Sequence, residues 1–234
     1  MFLFLKLVLA HMIADFILQF EELYQLKLKS RLGHLAHAFF HALVSFILLA
    51  PYLSDPVIII FIIAVTVIHY FQDQIKYSIQ AKHPEQIFWC FTLDQIGHFL
   101  FLASIFFLPS AQIEKGFPGH PHLDLLYRDP TLTLALILFI GIGFKAAYFL
   151  HAFRKTFIPD TRSDHFITSF EMAWGIAERS LIVFCYLNLS PIIFLVSLTP
   201  GLARLSSRKM CSLLDFSLSY GYAALAGWIF SRWF

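Results

Sequence analysis

Four pairs of ionisable side chains, each spaced i, i+4, lie in four separate apolar segments of the chain. The pairs are His11 with Asp15, His37 with His41, His69 with Asp73, and Asp94 with His98. This spacing puts both side chains of a pair on one face of a helix. Burying such groups among apolar residues is costly unless they find partners. The pattern therefore predicts a shared polar site inside an otherwise apolar protein.

The residue types of these pairs point to divalent-metal chemistry. Imidazole nitrogens and carboxylate oxygens are typical ligands of Zn, Mn and Fe, and the five His and three Asp can hold one or two ions. Two ions a few Å apart can activate water and polarise a phosphoryl or carbonyl group. We therefore predict that all eight residues bind metal. His34, one turn before His37, is the best spare general acid or base, and Gln19, Gln72 and Gln95 can orient ligands.

Two regularities support a common site. If the helices alternate in direction across a membrane, every pair falls within roughly ten residues, or about 15 Å, of the cytoplasmic end. The order of the pairs also repeats: H-x-x-x-D then H-x-x-x-H in the first two segments, and H-x-x-x-D then D-x-x-x-H in the next two. We therefore predict that the first four helices form a pseudo-repeated four-helix bundle with inward-facing His and Asp.

The composition predicts an all-α, polytopic transmembrane helix bundle. Hydrophobic residues make up 59% of the 234 residues, charged residues only 14%, and the net charge of +2 gives no indication of a nucleic-acid partner. Stretches near the ~20 residues that a spanning helix needs occur at 2–20, 34–53, 57–77, 88–108, 131–153, 166–187 and 211–231. The shorter stretch 191–203, broken by Pro200-Gly201, is an eighth candidate. We therefore expect seven or eight spans.

The distribution of Lys and Arg predicts the orientation and the domains. With eight spans, eleven of these residues fall on one side and three on the other, so the N-terminus is expected outside the cell. The segment 109–130 is rich in Pro, Gly and polar residues and is expected to be an extracytoplasmic linker. It divides a four-helix unit, 1–108, from a second membrane unit, 131–234.

The second unit contains fewer candidate residues. Lys145, Glu171, Glu178 and Arg179 lie in predicted helices, and we expect them to form a buried ion-pair network that docks the two halves. In the alternative, Arg179 or Lys145 binds an anionic headgroup or phosphate.

Several of these segments resemble those of a known family. In the first half they are AHMIADFILQ, HLAHAFFHALVS, VIHYFQDQIK and FTLDQIGHFL, and in the second WGIAERSLIVF and GLARLSSRK. Together they resemble a bacterial family catalogued as domain of unknown function 3307. The resemblance implies a multi-pass protein of the bacterial inner membrane and supplies no reaction. More loosely, the pattern is similar to membrane-bound metal-dependent hydrolases with His and Asp on successive helices.

The leading hypothesis is a metal-dependent membrane hydrolase that opens near the cytoplasmic leaflet and acts on a lipid, a lipid-linked or another small-molecule substrate. An alternative is a proton-coupled or ion transporter that uses the same buried groups as a relay. A third hypothesis is a non-catalytic membrane scaffold, in which the eight residues only hold the helices together.

Overall fold

The computed structural model describes residues 1–109, 113–157, 169–188 and 213–233. All regular elements in these ranges are helices, which confirms the all-α prediction. The chain divides into two compact units, Met1–Ile137 and Leu138–Phe234. The roles expected for 1–108, 109–130 and 131–234 stay predictions.

The first unit carries the following elements in chain order: α1 (Phe2–Met12) with a π-helical turn (Ile13–Ile17), α2 (Glu21–Lys29), α3 (Arg31–Leu48), α4 (Pro56–Lys82), α5 (Ile87–Ala103), α6 (Pro121–Arg128) and most of α7 (Pro130–Ile140). Short 3₁₀ turns flank α5 at Pro84–Gln86 and Ser104–Phe107. The second unit carries a π-helical turn (Gly141–Lys145), α8 (Ala146–Phe157), α9 (Ser169–Asn188) and α10 (Leu213–Trp233).

Four helices of the described chain are long and apolar enough to cross a membrane. They are Arg31–Leu48, Pro56–Lys82, Pro84–Phe107 and Pro130–Phe157, with a fifth span if the bent pair Phe2–Ile17 and Glu21–Lys29 is counted as one. The predicted seven or eight spans are not confirmed, and the candidate stretch 191–203 lies outside the described residues.

In the helix α4, polar side chains face the interior of the protein and apolar side chains face outward. His69 and Asp73 are buried, whereas Ile60, Ile63 and Phe71 expose 65%, 51% and 56% of their surface. A helix on the surface of a water-soluble protein has the opposite arrangement, with its apolar face inside. An apolar outer face over a polar interior is the arrangement expected of a helix in contact with lipid.

The first predicted helix, 2–20, ends earlier than expected. Its helical turns stop at Ile17, and the chain bends by 86° into α2. The short helix α2 has acidic residues in its first turn and basic residues in its last turn, as the helix dipole favours. Its buried face carries Leu23 and Lys27. This helix lies in the link between the predicted spans 2–20 and 34–53, where no helix was expected.

Four helices of the first unit pack in a closed ring. The helix α1 contacts α3 and α5, and α4 contacts the same two helices from the other side. Their polar faces therefore share one interior. The predicted sequence repeat between the two hairpins stays a prediction, because the packing alone does not establish it.

The predicted linker 109–130 contains the short helix α6, which we had expected to be a loop. Pro121 begins this helix, and Asp124 pairs with Arg128 one turn later at 2.9 Å. The Tyr127 hydroxyl donates a hydrogen bond to the Leu48 carbonyl at 2.7 Å, and burial raises the pKa of that hydroxyl. The fixed backbone angle of Pro121 in the first turn and this aromatic anchor outweigh the loop-forming composition of the segment.

In the second unit, the π-helical turn Gly141–Lys145 is held by Arg179 of α9. The guanidinium group is 1% exposed and donates hydrogen bonds to the carbonyls of Ile142 and Gly143, the second at 2.7 Å. A π-helical turn changes the local hydrogen-bond pattern, and these contacts satisfy two of its carbonyls. The Glu171 side chain lies outside the described residues, and the expected ion-pair network stays a prediction.

The contact between α2 and α3 depends on Gly33. A Cβ atom at this position would collide with the α2 backbone at Leu26 and Lys27, which cannot move like a side chain. We therefore expect Gly33→Ala to displace α2 and to lower the free energy of unfolding by about 1–3 kcal/mol. Thermal unfolding of the detergent-purified protein measures this loss. The control is Gly221→Ala, where the added Cβ would meet open space. Equal melting temperatures for the two variants would contradict the prediction.

Arg179→Met tests the stabilisation of the second π-helical turn. The change leaves the Ile142 and Gly143 carbonyls without the guanidinium donor in a buried position, so we expect a loss of about 2–4 kcal/mol. Circular dichroism during heating measures it. Leu225→Ala, at a side chain that is 58% exposed, is the control and should change stability far less. A melting temperature unaffected by Arg179→Met would show that the two hydrogen bonds contribute nothing net.

Candidate metal centre

The structure brings all eight predicted ligands into one buried cluster. The helix α1 and its π-helical turn, α3, α4 and α5 each contribute one pair, and every one of the eight residues is at most 8% exposed. The members are His11, Asp15, His37, His41, His69, Asp73, Asp94 and His98. Their ligating roles stay predictions, but their convergence follows directly from the ring of four helices.

Asp15 occupies the centre of one part of the cluster. Its Oδ1 lies 2.8 Å from His41 Nε2 and 3.0 Å from His37 Nε2, while its Oδ2 lies 3.4 Å from His11 Nε2. The Gln95 amide donates a hydrogen bond to Oδ2 at 3.1 Å, as expected for an orienting side chain. Asp15 lies in the π-helical turn, and such turns occur frequently at functional sites.

A row of side chains leads from this part to Asp94. His69 Nε2 lies 3.8 Å from Asp15 Oδ1, and His69 Nδ1 lies 3.2 Å from His98 Nδ1. The other nitrogen of the His98 imidazole, Nε2, lies 3.0 Å from Asp94 Oδ1. The rings of His41, His69 and His98 follow one another with centroid separations of 3.7 Å and 4.2 Å.

The contacts of this row leave one nitrogen of His69 without a hydrogen bond. The Nδ1 atoms of His69 and His98 face each other at 3.2 Å, so one of them carries the proton of a shared hydrogen bond. Asp94 Oδ1 and His98 Nε2 lie 3.0 Å apart but are not aligned for a hydrogen bond, since neither atom has a hydrogen-bond partner within the described residues. His69 Nε2 is likewise buried without a hydrogen-bond partner in the described part of the chain. Such an atom is suited to bind a metal ion.

Two lysines that belong to the eleven basic residues expected on the cytoplasmic side lie at the cluster. Lys76 Nζ is 2.9 Å from Asp73 Oδ1 and 2.8 Å from Asp94 Oδ2, and Lys27 Nζ contacts Asp73 Oδ2. Lys27 also donates to Gln19 at 2.8 Å. The i, i+3 spacing of Asp73 and Lys76 indicates that these two side chains share one face of a helix, so their contact could have been predicted from the sequence. Nothing in the sequence indicated Lys27, because the bend before α2 brings it back to the site.

We call Lys27, Asp73, Lys76 and Asp94 the lysine–carboxylate cluster. His34, the predicted acid or base, is 6% exposed and lies beside this cluster, with Nδ1 4.0 Å from Asp73 Oδ2. Its ring also packs edge-on against Tyr77, with centroids 5.2 Å apart. His34 is therefore close to the predicted ligands.

Three overlapping groups of these residues have the ligand spacing of a metal site. In each group, the ligand atoms lie within 4.8 Å of one another. The groups are His11 with Asp15, His41 and His69; His37 with His69 and Asp73; and Asp73 with Asp94 and His98. We call the first of these the four-ligand group. The cluster could therefore hold a metal ion, as the residue types indicated.

A cavity lies against the imidazoles of the eight predicted ligands. Its volume is about 20 Å³, and its walls include His11, His41, His69, His98 and Gln72. A space of this size holds a single water molecule. Gly97 leaves room for the Gln72 amide, because a Cβ at that position would collide with it. The cavity is large enough for one small ligand beside the four-ligand group.

Comparison with known proteins identifies a family but no reaction. The family whose pattern matches residues 3–118 is described as "Protein of unknown function (DUF3307)", and the matched region includes the whole cluster. No curated protein and no solved structure matches the chain. The looser similarity to membrane-bound hydrolases therefore stays a prediction. Over residues 3–118, the chain matches the DUF3307 family of proteins of unknown function.

Proposed function

We propose that this chain is a multi-pass protein of the bacterial inner membrane that binds a divalent metal ion in its four-ligand group and hydrolyses a lipid or lipid-linked substrate. The observation that carries the proposal is the convergence of three imidazoles and one carboxylate from three helical segments within ligand spacing. Such a set is difficult to explain by helix packing alone, because each buried polar group must be satisfied.

The spacing of the four-ligand group supports a tetrahedral ion. Metal–ligand bonds of about 2.0–2.1 Å in a tetrahedron put neighbouring ligand atoms about 3.3 Å apart. Asp15 Oδ1 lies 2.8 Å from His41 Nε2 and 3.8 Å from His69 Nε2, while Asp15 Oδ2 lies 3.4 Å from His11 Nε2. These Asp15–His distances lie within about half an ångström of the expected separation. Nitrogen and oxygen donors without thiolate suit Zn, Mn or Fe.

The surroundings of the group support hydrolytic chemistry. A divalent ion acts as a Lewis acid that activates water and polarises an ester or phosphoryl group. The adjoining cavity has room for one water molecule, and Gln72 and Gln95 can orient the ligands and the substrate. His34 lies at the edge of the cluster and is the candidate general acid or base for the leaving group.

The outer surface of the helices supports a lipid substrate. Apolar side chains of α3 and α4, such as Leu35, Phe39 and Phe71, are 56–61% exposed around the buried cluster. A substrate dissolved in the bilayer can reach such a protein laterally, without leaving an apolar environment. This argument favours a lipid or a lipid-linked molecule over a substrate that is free in water.

The row of contacts from Asp15 to Lys76 favours a second candidate function. Asp15, His69, His98 and Asp94 follow one another at 3.0–3.8 Å, and Lys76 contacts Asp94. Chains of buried titratable groups carry protons in membrane transporters. A proton-coupled carrier would use this row and would need no tightly bound metal ion.

Asp15→Asn tests the metal site. The change keeps the size of the side chain but removes the charge that an ion needs, so we expect loss of most of the bound metal. Purified protein loaded separately with Zn²⁺ and Mn²⁺ and then desalted is measured by inductively coupled plasma mass spectrometry. The matched control is Asp124→Asn in the linker, which should keep the ion. Wild-type protein that holds no metal after loading would overturn the metal proposal and favour the relay.

Hydrolysis is tested on purified protein reconstituted in phosphatidylethanolamine–phosphatidylglycerol vesicles. We expect release of fatty acid or headgroup, detected by mass spectrometry, that requires the added metal and is lost in Asp15→Asn. His34→Ala should lower the rate by about 100-fold while the ion stays bound, as expected for a general acid or base. The control is His122→Ala in α6. Metal binding without any lipid cleavage would restrict the function to metal binding.

A further inference from the structure

We propose that the centre holds a single metal ion in the four-ligand group and that the Lys76 ammonium group takes the place of a second ion between Asp73 and Asp94. The inference rests on the proposed metal function and deepens it, because it decides how many ions take part. The number and types of the predicted ligands allow either one or two ions. The arrangement of the two lysines distinguishes these alternatives.

Lys76 bridges two carboxylates as a second metal ion would. Its Nζ lies 2.9 Å from Asp73 Oδ1 and 2.8 Å from Asp94 Oδ2. Lys27 Nζ contacts the remaining oxygen of Asp73, so both oxygens of that carboxylate face an ammonium group. Lysine is a compact point charge on a flexible chain and fits such a position. An ion bound by Asp73, Asp94 and His98 would have to displace it.

Asp15 differs from the other two carboxylates in its partners. It faces imidazoles and the Gln95 amide, and within the described ranges no Lys or Arg lies within ion-pair distance of it. A buried carboxylate is strongly destabilising unless a cation or several donors compensate it. The four-ligand group is therefore the part of the cluster whose carboxylate no ammonium group neutralises.

The net charge of the cluster also favours one bound ion over two. Three carboxylates and two ammonium groups, with neutral imidazoles, leave one net negative charge. One divalent ion changes this net charge to +1, whereas two ions would change it to +2 even with the Lys76 ammonium group displaced. Unlike exposed charges, these side chains are at most 13% exposed, so water screens them little. The single-ion state is the more favourable of the two.

The row of contacts gives Asp94 and His98 a role other than ligation. Asp94 contacts the Nε2 of His98, and the Nδ1 of His98 shares a hydrogen bond with the Nδ1 of His69. This bond holds the His69 ring with its Nε2 facing Asp15, at 3.8 Å from Oδ1. His98 therefore orients a ligand, Asp94 lies against His98, and Lys76 holds Asp94 in place. Asp94 and His98 are positioning residues in this arrangement.

The number of ions per chain tests the inference. The purified full-length protein is loaded with excess Zn²⁺, desalted, and analysed for metal and protein content. We expect about one ion per chain in wild type and about two in Lys76→Met, because the second position then has carboxylates without their cation. Lys76→Arg keeps the positive charge and should hold about one ion. Lys115→Met in the linker is the control for loss of a lysine elsewhere.

Asp94→Asn gives a second measurement if Lys76→Met fails to fold. A single-ion centre keeps about one ion in this variant, because Asp94 is not a ligand, although the affinity should fall about 10- to 100-fold. A two-ion centre would lose one of its ions. Wild type with two ions, Lys76→Met with one, or Asp94→Asn without metal would each overturn the inference while leaving a metal protein. Wild type without any ion would overturn both this inference and the proposed function.

Discussion

The need to compensate buried carboxylates is the constraint on which the rest of the first unit depends. Asp15, Asp73 and Asp94 lose their hydration inside a ring of apolar helices, and an uncompensated carboxylate there is strongly destabilising. The protein meets this requirement by two chemically different means. Lysines compensate Asp73 and Asp94, and imidazoles with an amide surround Asp15. Because its partners are uncharged groups, Asp15 keeps a negative charge that a bound metal ion would neutralise.

This division also explains the positions of several backbone features. The 86° bend after Ile17 turns the chain into α2, whose Lys27 reaches Asp73. Gly33 permits the close packing of α2 against α3. The π-helical turn of the first unit contains Asp15 itself. The bend and this π-helical turn therefore both serve a charged member of the cluster.

Much of the fold and of the cluster could be predicted from sequence, because i, i+4 spacing within an apolar helix fixes which side chains share a face. His69 with Asp73 and Asp94 with His98 were found in this way. The contribution of Lys27 depends on a bend in the chain, and no periodicity in nine residues of α2 shows where that bend leads. A charge count near a helix end assigns such a lysine to the membrane surface. Its partner can be found only from the packing of α2.

The π-helical turn has a consequence for how the family tolerates change. Each residue of an α-helix advances about 100° around the axis. Deletion of Ile13 or Ala14 would restore ordinary pitch and rotate Asp15 out of register with the helix that precedes it. Substitutions that keep the length of Ile13–Ile17 preserve the direction of the carboxylate. Related sequences should therefore differ at these positions by substitutions and not by insertions or deletions.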